Sequence, residues 1–286
     1  MQIELIETFL DLCETRSFNQ IAGRLGVTQS TVSGRVKALE QALGQRLFIR
    51  SRAGTKLTFQ GMRFEPHARG LRLGWNEARF AASQSEGHGA TIRIGIQHDM
   101  VSAHFADLIK MFRKAFPDTT FFFEADYSSQ MCIDLTTGEE DLAIVFSPRF
   151  HPDLYFEALG EVIYEMISTE TDELEAVRRE TYIMPHFSDA FPHAHAALHP
   201  SLSMVTLSIG QNAAMVEILK SMGGTAYVMG ESAKELVDQG VCRHVVDAEP
   251  IRQSVFLGVN HRRRHQPLQR RLCKILRQHF GGGGAQ

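Results

Sequence analysis

Residues 17–44 read SFNQIAGRLGVTQSTVSGRVKALEQALG. The spacing predicts a short helix from about Phe18 to Leu25, ended by Gly26, a residue suited to a left-handed cap. Thr28 is placed to cap a second helix running to about Ala42. Val32, Val36, Leu39 and Leu43 form the apolar face of that helix, and Gly44 follows its end. Two helices joined by a tight glycine-containing turn make a helix-turn-helix. Ala22 is small where the helices must approach, and Val32 faces back into the core. The outward face offers Gln29, Ser30, Ser33 and Arg35, with Thr28 and Thr31 at its start. Such short or forked polar groups can bond base edges in a major groove. A structural three-helix bundle with a solvated polar face would show the same pattern.

The flanks narrow that choice. Upstream, Ile3, Ile6, Phe9, Leu10 and Cys13 recur at helical spacing and leave the acids on the other face. Downstream, RLFIRSRAGTKLTFQG at 46–61 reads as strand, turn at Ala53-Gly54, strand and helix start. That hairpin would set Arg50, Arg52 and Lys56 beside the second helix, as a wing whose cations meet phosphates.

Charge is divided in the same way. Residues 1–80 hold twelve Lys and Arg against seven Asp and Glu, while 81–286 hold eighteen against twenty-six. A basic head on an acidic body suggests that only the head meets a polyanion. The 286 residues suffice for two or three domains, and no apolar run approaches a membrane span. The first residues lack a basic n-region and a cleavage site, so no signal peptide is expected and the chain reads as cytoplasmic. Cys13, Cys132, Cys242 and Cys273 stand far apart without a CxxC pair, which speaks against a disulfide framework or structural zinc.

Phe9, Ser17-Phe18, Ala22, Leu25, Gln29-Ser30, Val32-Ser33, Leu39-Glu40, Leu43-Gly44, Leu47-Phe48, Arg50, Leu57-Thr58 and Gly61 fall in one register over about sixty residues. This series closely resembles the N-terminal domain of LysR-type transcriptional regulators. The resemblance implies a second helix in the major groove and a wing on the backbone. Two positions depart from the family: Ile21 replaces a common alanine, and Gly34 stands where arginine is frequent. Gly34 weakens the helix by up to about 1 kcal/mol relative to Ala and removes a contact, leaving Arg35 as the substitute reader. From Thr58 to about Ser83 the family has a linker helix that pairs with a second copy. Met62, Phe64, Leu71, Leu73, Trp75 and Phe80 suit it, whereas Pro66, Gly70 and Gly74 predict a kink or interruption. Pro66 with Trp75 and Arg79 is similar to the branch that includes a flagellar-operon regulator.

Beyond a polar joint at 83–90, strands at 91–97, 119–126 and 141–146 alternate with helices at 101–116 and 129–137, the pattern of a parallel α/β layer. A second unit has strands near 162–168, 181–184, 203–207, 225–229 and 254–260, with helices near 172–179 and 211–222. TGEEDLAIVF resembles a LysR-family signature. The resemblance implies two Rossmann-like subdomains joined by two crossovers, like a periplasmic binding protein. The whole chain then reads as a mainly α winged helix-turn-helix (1–60), a linker helix and hinge (61–90), subdomain I (91–161 and 263–286) and subdomain II (162–262). HQPLQRRLCKILRQHF is an amphipathic basic helix that should return to subdomain I, and the terminal GGGGAQ should be disordered.

Ligands of open α/β sheets bind beyond the carboxyl ends of strands. That rule selects Gln97, His98, Asp99 and Ser102, then Tyr127, Ser128 and Ser129, then Phe146 and Ser147. From the second unit it selects Pro185, His186 and Phe187, then Ser208, Gly210 and Gln211. Helix N-termini and hydroxyls suit a small anionic or polar effector. His186, His193, His195 and His199 in PHFSDAFPHAHAALHP would need to converge to hold metal, and they read as loop surface. No metal or cofactor is expected. Catalysis would need His98, Asp99 and Ser102 to converge, and no phosphate loop or nucleophile elbow supports an enzyme. Two other readings stay open: a constitutive repressor with a closed cleft, and a redox sensor using Cys132 and Cys242. The expected partners are double-stranded DNA carrying an imperfect palindrome, the effector, further copies of the chain in a dimer or tetramer formed through the linker helix and sensor, and RNA polymerase.

Overall fold

A computed structural model describes residues 2–51, 54–83, 91–203 and 206–281, with the backbone alone at 50, 51, 80, 81, 83 and 281. Arg52, Ala53, most of the 83–90 joint, residues 204 and 205 of an expected strand, and the last five residues lie outside this description. The chain divides into two compact units.

The N-terminal unit holds α1 (Ile3–Thr15), α2 (Phe18–Leu25), α3 (Gln29–Leu43), the strands β1 (Phe48–Ser51) and β2 (Gly54–Leu57), and α4 (Phe59–Ser83). Gly26 takes φ 63° between α2 and α3, and the Thr28 hydroxyl accepts the Thr31 N–H at the start of α3. Ile6, Phe9, Leu10, Ile21, Val32, Val36, Leu39 and Leu47 make one core. Oε1 of Glu40 accepts the N–H groups of Leu47 and Phe48, which fixes the hairpin to the end of α3. β1 and β2 pair antiparallel, Phe48 opposite Leu57. α4 runs unbroken through Pro66. The missing proline N–H removes one helical bond without ending the helix, so of the kink or interruption expected from sequence the interruption does not occur.

The C-terminal unit begins with β3 (Thr91–Gln97), α5 (Val101–Ala115), β4 (Thr120–Asp126), α6 (Ser128–Thr137) and β5 (Leu142–Val145). β3 lies parallel to both β4 and β5. Next comes β6 (Leu154–Ser168), then β7 (Met184–Pro185), α7 (Phe191–Leu198), β8 (Ser208–Ile209), α8 (Asn212–Met222), β9 (Thr225–Met229), α9 (Gly230–Asp238), β10 (Arg243–His244), β11 (Ile251–Asn260) and α10 (Pro267–Gly281). The sheet order is β10-β6-β11-β5-β3-β4, with β9 also on β6. The long strands β6 and β11 pass through both halves of the unit, antiparallel, with a register shift at Val255/Phe256. One sheet and one core therefore serve both halves: Ile94, Ile96 and Phe112 share a cluster with Tyr164, Phe187, Met215 and Tyr227.

The second half departs most from expectation. The helix expected at 172–179 is a single 3-10 turn at Leu174–Ala176, and α7 and α9 were not foreseen. α10 lies on the first half. Arg277 binds Glu157 on β6 with two charge-assisted bonds of 2.6 and 2.7 Å, and His279 meets His104 of α5 at 3.1 Å.

Candidate DNA-binding and effector sites

On α3, Gln29, Ser30 and Thr31 are exposed, while Ser33 and Arg35 are half-buried. The Thr28 hydroxyl is tied to the cap and lies 2.7 Å from the Ser30 hydroxyl and 2.9 Å from that of Thr31. Arg35 turns inward and donates from Nη1 to the Thr8 hydroxyl of α1 at 3.4 Å. The substitute role expected for it is thus held, in this arrangement, by a contact inside the domain. Gly34 faces open space, with nothing within 4 Å of an added methyl. Lys37, one turn further along, is exposed on α3 and was missed by sequence reading. Its position three residues after Gly34 was the available signal. Lys56 is exposed on the wing. Arg50 is described by its backbone in β1 only.

In the C-terminal unit a cleft of about 190 Å³ is lined by Gln97, Tyr127, Ser128, Ser129, Ser147, His186, Phe187, Ser188 and Asp189. Seven of the fifteen strand-end residues selected from sequence line it: Gln97, Tyr127, Ser128, Ser129, Ser147, His186 and Phe187. Phe146, 1% exposed, belongs to the core and presents only its backbone here. Asp99 is buried and does not line the cleft. His98 packs its ring edge-on against Tyr127 at 5.0 Å. Ser102 is exposed on α5, and Ser208 and Gln211 are exposed at β8 and the start of α8. Gly210 borders the cleft, since a methyl there would lie 3.5 Å from the Tyr127 hydroxyl.

The floor is a closed ring of hydrogen bonds. Ser128 donates its hydroxyl to Oε1 of Gln97 at 2.8 Å and accepts the N–H groups of Phe146 and Ser147. Gln97 donates from Nε2 to the Phe187 carbonyl, which belongs to the second half. Gln253 on β11 donates to the Phe146 carbonyl at 3.0 Å and accepts the Ser188 hydroxyl at 2.6 Å. Ser188 in turn accepts the Phe191 N–H at the start of α7. Gln97, Ser128, Ser188 and Gln253 are therefore satisfied within the protein. Buried amides and hydroxyls left unpaired would each cost free energy, so such a ring holds its members in place. The groups left for a guest are the hydroxyls of Tyr127, Ser129 and Ser147, the His186 ring and the Asp189 carboxylate. Ser147 Oγ is a buried atom without a partner. Asp189 pairs at 3.7 Å with Arg149 of the opposite half.

Of the four histidines read as loop surface, His186 and His193 are exposed, but the other two are not. His195 and His199, one turn apart at the end of α7, are buried and bond the hydroxyls of Tyr182 and Tyr227, each at 2.7 Å. Burial pushes His195 down to about 4, so the ring is neutral and structural. The four thiols are free. Burial pushes those of Cys132 and Cys242 upward, the reverse of what a reactive thiolate needs. No group of three or more potential metal ligands converges among the described residues. No described helix is long and apolar enough to cross a membrane.

This combination, a winged helix-turn-helix followed by a two-halved α/β unit with a cleft across its strand ends, defines a one-component regulator that joins DNA recognition to a ligand-sized site. Residues 3–62 match the bacterial regulatory helix-turn-helix family of lysR type, and residues 85–281 match the LysR substrate binding domain. The chain belongs to the LysR family of transcriptional regulators. It is 28% identical over 247 residues to the transcriptional regulator HdfR of Yersinia enterocolitica, covering 82% of this chain and 83% of the relative. Over 96 residues it is 41% identical to ShiR of Corynebacterium glutamicum, about a third of each chain. Its fold is similar to that of full-length LysG from Corynebacterium glutamicum with bound effector Arg, at TM-score 0.58, 18% identity and 99% coverage of both chains. The DarR regulator of Vibrio fischeri, solved in complex with DNA, also superposes at TM-score 0.58, with 17% identity and 96% and 98% coverage.

Proposed function

We propose that this regulator binds an imperfect palindrome as a dimer or tetramer, assembled through α4 and the sensor unit, and that a small anionic or polar effector in the 190 Å³ cleft sets its affinity for DNA. The carrying observation is the division of labour in the cleft, whose floor is saturated while Tyr127, Ser129 and His186 line it outside that ring and the buried Ser147 hydroxyl has no partner. A preformed pocket with a few convergent polar groups is what a small ligand requires. Gln97, Ser128 and Phe146 act as its frame. His98, Asp99, Ser102, Ser208, Gly210 and Gln211 flank it or lie behind it. Because Asp189 and Arg149 offer opposite charges at the mouth, a zwitterion is a suitable guest as well as a carboxylate. LysG, with its bound arginine, makes amino acids a class to include.

In the head, Gln29, Ser30, Thr31 and Ser33 are the base-reading candidates, with Arg50, Arg52, Lys37 and Lys56 on phosphates. The role is cytoplasmic and non-catalytic, with RNA polymerase as the downstream partner. The raised thiol pKa values give no support to a cysteine sensor. The test is a thermal-shift screen of carboxylates, amino acids and aromatic acids against the full chain, since a cleft ligand must stabilise the folded state. A hit whose stabilisation survives in Ser129→Ala and in Ser147→Ala alike would overturn the cleft assignment.

A further inference from the structure

Asp99 stands in the single 3-10 turn after β3, is 4% exposed, and accepts the backbone N–H of Asn212 through Oδ1 at 2.6 Å. Asn212 is the first residue of α8. A carboxylate of the first half therefore caps a helix of the second, 113 positions away in sequence. The other oxygen, Oδ2, is buried and has no partner. The hydroxyl of Tyr164 on β6 is likewise buried and unpartnered, and lies close enough for the charge of Asp99 to oppose its ionisation. Tyr164 stacks on Phe187, ring centroids 4.9 Å apart at 18°, and the Phe187 carbonyl is the acceptor of Gln97. One half-satisfied carboxylate and one orphaned hydroxyl are thus buried within the sensor unit.

The two protonation states of Asp99 fit this place unequally. The ionised form gains from the Asn212 N–H and from the end of the α8 dipole, but Oδ2 has lost its water without replacement. The neutral acid keeps an acceptor for Asn212 and no longer buries a charge on Oδ2, which makes no hydrogen bond to Tyr164 in this structure.

We propose that Asp99 makes the closed arrangement of the two sensor halves a proton-binding state, so that mild acid and the effector act on one equilibrium. The inference rests on reading the cleft as an effector site. Burial pushes the Asp99 carboxyl up from 3.8 to about 6, against the smaller opposing effect of the Asn212 N–H. Opening would carry Asp99 away from α8 into water, returning it toward 3.8. The closed state has the higher pKa and so takes up the proton first. Closure is therefore favoured as pH falls through 6 and gains nothing further below about 4. The gap of about two units is roughly a hundredfold in the closing constant overall, and about tenfold between pH 7 and pH 5. Among the described residues no other titrating group moves the Asp99 carboxyl, which responds to burial and to the Asn212 N–H; Tyr164 on β6 stays neutral, and α8 presents a backbone N–H. The Asn212 amide is engaged by Ser232 and Met229. On the same turn, the His98 ring rests against Tyr127.

The test is amide hydrogen exchange of the full chain at pH 7, 6 and 5, with intrinsic rates divided out, read at the first turn of α8. In the natural protein, protection there should rise about tenfold from pH 7 to pH 5. Asp99→Asn keeps the acceptor but cannot titrate, and its protection should be independent of pH. Tyr164→Phe keeps the buried carboxyl, so its protection should still rise as pH falls. An Asp99→Asn profile that climbs like the natural one overturns the proposal, as does a flat natural profile. Either result leaves the cleft reading standing, and a failed effector screen leaves the exchange result standing.

Discussion

Ser128 donates its hydroxyl hydrogen to Oε1 of Gln97 at 2.8 Å while accepting the N–H groups of Phe146 and Ser147. Its sequence neighbour Ser129 also lines the cleft, half-buried, outside that ring. Two adjacent serines at one helix start should therefore respond to the same substitution in opposite ways. Ser128→Ala leaves the Gln97 oxygen and two backbone donors without a partner and should cost about 1–3 kcal/mol of stability. Ser129→Ala should change stability by less than about 0.5 kcal/mol and weaken effector binding instead. Urea unfolding measures the first effect and ligand-induced thermal shift the second. A Ser128→Ala chain as stable as the natural one would show that the ring does not hold the floor.

In the DNA-binding unit, the contact of Arg35 with Thr8 changes which side chains should carry specificity. Gln29→Ala and Ser30→Ala should narrow the difference between operator and random duplex, by about 1–3 kcal/mol where a bidentate base contact is lost. Lys37→Ala and Lys56→Ala should weaken binding to every duplex and lower the salt slope by about one. Arg35→Ala should act mainly on stability. Titrations on both duplexes at several salt concentrations separate these outcomes. Lost discrimination in Arg35→Ala at unchanged stability would return that residue to the DNA face.

What could be read from the residues alone followed from local rules. Gly26, Thr28 and the spacing of Val32, Val36 and Leu39 place α2 and α3 because caps and apolar periodicity act within one or two turns. Gln97, Ser128, Ser147 and His186 were legible as polar groups at strand ends. Which polar group would be consumed by another was not, because Gln253 meets Phe146 and Ser188 only after β11 has crossed the sheet. α7 escaped notice because PHAHAAL looks like a histidine-rich loop. Its His195 and His199 find tyrosine partners on Tyr182 and Tyr227, distant in sequence. Asp99 looked like a ligand contact, and its burial depends on α8 docking above it.

Gly61 lies at the start of α4, where an added methyl would stand within contact distance of the Leu47 carbonyl oxygen and the Leu57 side chain. Both neighbours belong to the base of the wing, and a backbone oxygen cannot yield as a flexible side chain can. Gly61→Ala should therefore displace the hairpin from α4 and lower the stability of the N-terminal unit by about 1–3 kcal/mol, as overpacking does elsewhere. DNA affinity should fall on all sequences, because the wing carries Lys56. Unfolding of the chain together with DNA titration checks this, and a fully stable Gly61→Ala with natural affinity would contradict the close approach.

The pair of His104 on α5 and His279 on α10 should make the docking of the C-terminal helix sensitive to acid. Their nitrogens lie 3.1 Å apart, and Phe280 packs against both rings at 4.9 Å. Burial, and then the neighbouring His279, hold His104 down at about 4, below the usual 6.5, and His279 is lowered mainly by burial. The folded state thus resists protons that the unfolded chain accepts. Stability is complete above about 6.5, falls as pH drops through the interval to 4, and levels off below it. For His104 the loss between pH 7 and 5 is at most about 2 kcal/mol, reduced by screening where the rings meet water. Buried His195 moves in the same direction and Asp99 in the opposite one, so the whole-protein curve does not isolate the pair. The difference between the natural chain and His104→Gln does. The variant should lose measurably less stability than the natural protein on going from pH 7 to pH 5, with urea midpoints as the readout. Parallel pH curves for the two chains would mean that the histidine contact does not control how α10 is held.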